Sequence, residues 1–156
     1  MAPDLDGYAH RYVRDGLIVD VLAPDGMNPP PTLDGTLKAV GVPGGSQALA
    51  RAETVTVRIA DATFPLRRPT LLGAVLIKAR SLLVHRDPDA QREDLLTLLS
   101  LIEDPRFAAA ELKRTERGWV RNAEARLRLE EPSNRSAVEM RRARQAFRFL
   151  TREPTG

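Results

Sequence analysis

At Pro69 the spacing of apolar residues changes from every second position to every third or fourth, and this switch constrains the fold more than any other feature of the chain. Ahead of it, Thr54-Val-Thr-Val-Arg-Ile59 alternates as a half-buried strand does. Behind it, Leu71 to Ile77 is apolar nearly all round until Lys78 interrupts, which predicts a buried central helix from Pro69-Thr70 to about Val84. Strands followed by helices predict an α+β fold, with a β-rich segment over residues 1–68 and a helical segment over 69–152.

The strand-forming segment carries its own punctuation. Ala9 to Val13 and Leu17 to Leu22 flank Arg14-Asp15-Gly16, and Asp-Gly is hairpin-turn chemistry. Pro24-Asp-Gly26 and the run Pro29 to Pro31 break the chain into a surface loop. A short strand is expected near Leu37 to Val42, two turns of helix over Gly44 to Arg51, and another short strand over Thr63 to Leu66. In the helical segment, Asp87 is read as the N-cap of a helix that begins at Pro88 and runs to about Glu103, with Leu95, Leu98, Leu99 and Ile102 on one face. Asp104-Pro105 stops it. Two amphipathic helices are expected next, over Arg106 to Leu129 with a break at Arg114-Thr115, and over Ser136 to Arg152. Trp119, Ala123 and Leu127 form the inner face of the first.

Composition narrows the class. A 156-residue chain that is 42% hydrophobic and free of cysteine is neither a disulfide-stapled scaffold nor a disordered or collagen-like chain. Asp4 and Asp6 stand where a secretory leader needs positive charge, and no apolar run approaches the roughly 20 residues that span a bilayer, so a cytoplasmic protein without a membrane segment is expected. The net charge of +3 is unevenly placed. Residues 1–110 carry 12 basic and 14 acidic side chains, whereas residues 111–152 carry 12 and 6.

Four features can carry chemistry. Asp20 sits in the middle of the β-branched run Ile18-Val-Asp-Val-Leu22, where a carboxylate needs solvent, a cation or a metal. Lys78 has Ala74, Val75, Ser81 and Leu82 as helical neighbours, so its ammonium must find a partner; Asp94 of the next helix is the candidate, and an interhelical ion pair and a phosphate contact are the two readings. Gly44-Gly45-Ser46 precedes a short helix and is either a phosphate cradle or a turn. No Asp-x-Asp follows it, which favours the turn. Finally, Arg141, Arg144, Arg148 and Arg152 recur at spacings of 3, 4 and 4, a stripe that is either a solvated face or a track for phosphates. His10 and His85 have no metal-ligand spacing.

The strings His10 to Asp25, Pro43 to Leu49, Arg68 to Arg80 and Arg92 to Leu99, in that order, resemble the latter part of an actinobacterial nucleotidyltransferase-like protein of the AbiEii-type toxin family. The resemblance covers about residues 8–104. It implies a partial nucleotidyltransferase-type mixed sheet packed on a C-terminal helical bundle, with Mg²⁺ and a nucleoside triphosphate as cofactor and substrate. On it, Asp20 resembles the third catalytic acid, which binds the metal and orients the attacking hydroxyl. Lys78 resembles the helical lysine near the nucleotide phosphates, and Asp94 the last acid of a Lys-Asp-x-x-Asp motif that here reads Gln91-Arg-Glu-Asp94.

The family's Gly-Ser turn and first two acids lie upstream of the Asp20 strand, and only 19 residues precede Asp20 here. Two-metal phosphoryl transfer needs several carboxylates. The resemblance therefore implies a truncated, mis-started or decayed member that is catalytically incomplete, with a cognate antitoxin and RNA as its partner classes. A second reading is a non-catalytic regulatory module that binds nucleic acid or an acidic protein through Arg141, Arg144 and Arg148. A third is a structural protein that dimerises through an exposed strand edge near residues 8–22.

Overall fold

A computed structural model of the chain describes residues 8–9, 11–33, 35–84 and 88–153 and has an α+β fold. Two compact units divide between Ser46 and Gln47. The change from strand to helix comes later, at Pro69, so the second unit contains a hairpin as well as the helices. The residues expected to carry the N-cap at Asp87, and both histidines, lie outside the described residues.

The first unit is built on one strand. In chain order it holds β1 (Tyr8–Ala9), β2 (Arg11–Arg14), β3 (Leu17–Asp20), β4 (Leu22–Pro24), β5 (Thr32–Leu33) and β6 (Leu37–Val42). The last of these pairs in parallel with β1 and β4 and antiparallel with β5, which makes a small mixed sheet. The hairpin of β2 and β3 turns at Asp15 and Gly16, both at positive φ, as a type I′ turn requires. Val13, Leu17, Ile18 and Val19 on it are all more than half exposed, because the ribbon has two strands and both of its faces are open.

Helix α1 (Gly45–Ala50) contains the division between the units. After it, β7 (Ala52–Ile59) and β8 (Ala62–Pro69) pair over their whole length. The strand expected over Thr63 to Leu66 is thus twice as long, and it tolerates Pro65 and Pro69 because each strand of a two-stranded ribbon has a free edge. Then come α2 (Leu71–Val84), α3 (Pro88–Ser100), α4 (Pro105–Ala110), α5 (Arg114–Asn122), α6 (Glu124–Leu127) and α7 (Ala137–Thr151). Leu72, Val75, Leu76, Ala79 and Leu82 make α2 the centre of the helical core, as its all-round apolarity predicts. Leu95, Leu96 and Leu99 of α3 pack on one side of it, and Val120, Ala123, Leu127, Phe147 and Leu150 close the rest.

Two expectations shift in detail. Leu98 is half-buried and Leu96 is buried in its place, because α3 packs against both α2 and α7 and its apolar stripe is correspondingly broad. Trp119 is also half-buried, with the Arg80 guanidinium 4.6 Å from its ring centroid, while Val120 takes the inner position. Asp104 does more than stop α3: its carboxylate accepts from the N–H groups of Arg106 and Phe107, which starts α4 behind Pro105.

Arginines close the other ends. The last carbonyls of a helix have no partner within it. Buried Arg92 donates to the carbonyls of Leu127 (2.9 Å), Arg128 (3.1 Å) and Glu131 (3.2 Å) beyond α6. Buried Arg117 donates to Ala109 at the end of α4 and to Leu150 (3.3 Å) and Arg152 (3.2 Å) at the end of α7. Arg126 takes Leu82 of α2 at 3.0 Å, and Arg121 takes Thr151 at 3.2 Å. Each guanidinium therefore ties its own helix to at least one other and satisfies a terminus at once, and Arg117 ties α5 to both α4 and α7.

Replacing Arg117 by Met should lower the unfolding free energy by about 3 kcal/mol, since three carbonyls lose a charged donor in a buried site. Urea unfolding will show this as a lower midpoint at unchanged slope, and Arg117→Lys should recover less than half of the loss because an ammonium lacks the planar fork. At the start of α7, the Ser136 hydroxyl and N–H donate to the Glu139 carboxylate at 2.7 and 2.8 Å and hold its carboxyl below the ordinary glutamate value. A depressed carboxyl stabilises the fold above its unfolded pKa and ceases to as pH falls through the folded one. Stability measured by urea at about pH 7 and about pH 3 should therefore change less in Ser136→Ala than in the wild type.

Candidate functional site

Lys78 and Asp94 are the candidate residues that the fold brings together. Lys78 lies on α2 with its stem half-buried, and α3 packs alongside so that Asp94 faces it. The ammonium donates to Asp94 Oδ2 at 2.7 Å and to Gln91 Oε1 at 3.1 Å. Asp94 and Gln91 are three residues apart and so share a face of α3. The lysine side chain is 30% exposed and the aspartate 54%, so the pair is open to solvent at the helical surface. Of the two readings of Lys78, the ion pair is the one with its geometry present; a phosphate reaching Lys78 would compete with Asp94 and Gln91 for the ammonium.

Asp20 belongs to the first unit. It ends β3 directly opposite Arg11 of β2, and cross-strand partners on one face of a hairpin are within reach of each other. Arg11 Nε donates to Oδ1 at 2.8 Å and Nη2 to Oδ2 at 2.9 Å, a two-pronged grip on both carboxylate oxygens. This grip holds the Arg11 guanidinium above its ordinary value. The side chains are 54% and 36% exposed. A guanidinium thus supplies the cation that a carboxylate in this strand requires. Among the described residues no three of His, Cys, Asp and Glu stand together as a metal-binding group. Both oxygens of Asp20 are turned to the Arg11 guanidinium, and no step through a metal is derived from this arrangement.

The Gly-Gly-Ser turn is occupied by its own chain. Asp25, which the sequence marks only as part of a loop, accepts from the N–H groups of Gly44 (3.0 Å) and Ser46 (3.0 Å), and the Ser46 hydroxyl donates back to its carbonyl at 2.6 Å. A side chain on Gly45 would put its Cβ 3.0 Å from Pro24 Cα, so the turn needs glycine there to let the two segments meet. The phosphate-cradle reading would use these same N–H groups, and a carboxylate already fills it.

The arginine stripe of α7 divides by role. Arg144 is half-buried, with Nε and Nη2 on the Leu129 carbonyl at 3.1 and 2.9 Å and Glu130 3.4 Å away. Arg141 and Arg148 are exposed and make no side-chain hydrogen bond or ion pair among the described residues. Behind them Met140, Ala143, Phe147 and Leu150 are buried, as the sequence pattern predicts. No helix among the described residues is long and apolar enough to cross a membrane.

Neither a family model, nor a curated protein, nor a solved structure matches the chain.

A double-mutant cycle of Lys78→Met and Asp94→Asn, read by urea unfolding, should give a coupling below about 1 kcal/mol that shrinks as salt is added. A coupling of several kcal/mol, insensitive to salt, would contradict a solvent-open pair.

Proposed function

We propose that the chain is a cytoplasmic nucleotidyltransferase-like protein of toxin–antitoxin type that is catalytically incomplete on its described carboxylates. Three features support this reading. The order of sequence strings resembles that family from the Asp20 strand to the Asp94 helix. A mixed sheet and a helical bundle are the kinds of element such a protein uses. Lys78 and Asp94, which on the resemblance stand near nucleotide phosphates, meet at 2.7 Å.

The observation that carries the incompleteness is the grip of Arg11 on Asp20. Transfer of a nucleotidyl group needs cations held by several carboxylates against the triphosphate. Asp20 is engaged through both oxygens by an arginine instead. A divalent cation and a nucleoside triphosphate enter this reading only with acids supplied beyond Asp20. The partner classes it implies are a cognate antitoxin and RNA.

The test is incorporation of label from each nucleoside triphosphate in the presence of Mg²⁺, with total RNA and with the protein itself as acceptors. No Mg²⁺-dependent incorporation above background is expected. Robust incorporation that disappears in Asp20→Ala would overturn the incompleteness and leave the enzyme reading in its place.

A further inference from the structure

We propose that the outer face of α7 binds a single-stranded nucleic acid, with Arg141, Arg148 and Arg152 on backbone phosphates and Phe149 as the apolar wall for a base. This goes beyond the nucleotidyltransferase reading. It uses none of Asp20, Lys78 or Asp94.

The helix period brings these residues to one side. Positions 141, 145, 148 and 149 fall on one edge of α7, which spans about 12 Å from 141 to 149 at 1.5 Å per residue, and Arg152 follows just past the end of the helix, where the backbone is extended. A groove of about 390 Å³ is lined by Arg141, Arg144, Gln145, Arg148 and Phe149. A second, of about 410 Å³, also includes Phe149 and is lined in part by Arg106, Arg152 and Glu153. Phe149 thus lines both grooves, and the Arg106 guanidinium lies over one face of its ring, 5.5 Å from the centroid.

The chemistry selects among polyanions. Glu153, the acid that lines the second groove, is held by Arg121 at 2.6 Å. Arg141, Arg148 and Arg152 are left with exposed guanidiniums, whose forked donors match phosphate oxygens. An acidic protein would need only the charge. A nucleic acid uses the ring as well, because a base can stack on the Arg106 guanidinium that covers Phe149, or take its place on the ring, while its neighbouring phosphates meet the arginines. The half-burial of Phe149 against the core fixes the ring in place before binding.

The experiment is fluorescence anisotropy of the full chain with labelled oligo(U) and oligo(dT) of about a dozen nucleotides, over about 50 to 300 mM salt. Both should bind, and log affinity should fall with log salt with a slope of about −2 for three phosphates. Arg141→Gln with Arg148→Gln should reduce the slope by about 1.4. Phe149→Leu keeps an apolar side chain in the core and should weaken binding roughly fivefold or more at unchanged slope. Arg58→Gln with Arg67→Gln removes the same charge from the exposed β7 and β8 hairpin and should leave the slope as it was. Asp20→Ala should bind as the wild type does, which separates this outcome from the incorporation assay. The proposal is overturned if the hairpin variant flattens the slope equally, if a duplex binds as tightly as the single strands, or if polyglutamate displaces the oligonucleotides.

Discussion

The helical unit depends on guanidiniums placed against the carbonyl ends of its helices. Helices α2, α4, α6 and α7 finish on carbonyls that receive Arg126, Arg117, Arg92 and, again, Arg117 with Arg121. A cation at a helix C-terminus meets both the unpaired oxygens and the negative end of the helix dipole. Because the donors come from neighbouring helices, each bond also sets where one helix stops relative to the next. The apolar core then fills the space that these ties define.

The ties also account for much of the arginine content. Twenty-one of the 24 basic residues are arginines, and the net +6 of residues 111–152 invites a surface interpretation. In the structure Arg117, Arg121, Arg126 and Arg144 of that stretch are directed at backbone carbonyls. The exposed remainder, Lys113, Arg114, Arg141, Arg142, Arg148 and Arg152, is half of the basic side chains of that stretch.

Periodicity made the helices and the alternating strand of residues 54–59 legible, because each such element buries one face and its pattern records which. Lys78 and Asp94 were legible for the same reason: a lysine on an apolar helix must have a partner, and the adjacent helix offered one. Asp20 was visible as a carboxylate among β-branched residues, but its partner was not, since Arg11 reaches it through strand register rather than through sequence spacing. Asp25 and the buried arginines were hidden more deeply. Their partners are backbone groups, and a backbone carbonyl or N–H leaves no mark in the sequence. On α7, Arg144 has the same period as its neighbours and a different destination, the Leu129 carbonyl.

A side chain that bonds to a carbonyl is indifferent to which residue bears that carbonyl. The positions that receive Arg92 and Arg117 can therefore drift in identity as long as the helices end where they do, whereas the arginines themselves have no substitute with the same fork. Variation around these contacts should be one-sided, with fixed donors facing acceptors that change freely. Pairwise covariation, which finds contacts by correlated change, is blind to such a tie even when it joins two helices.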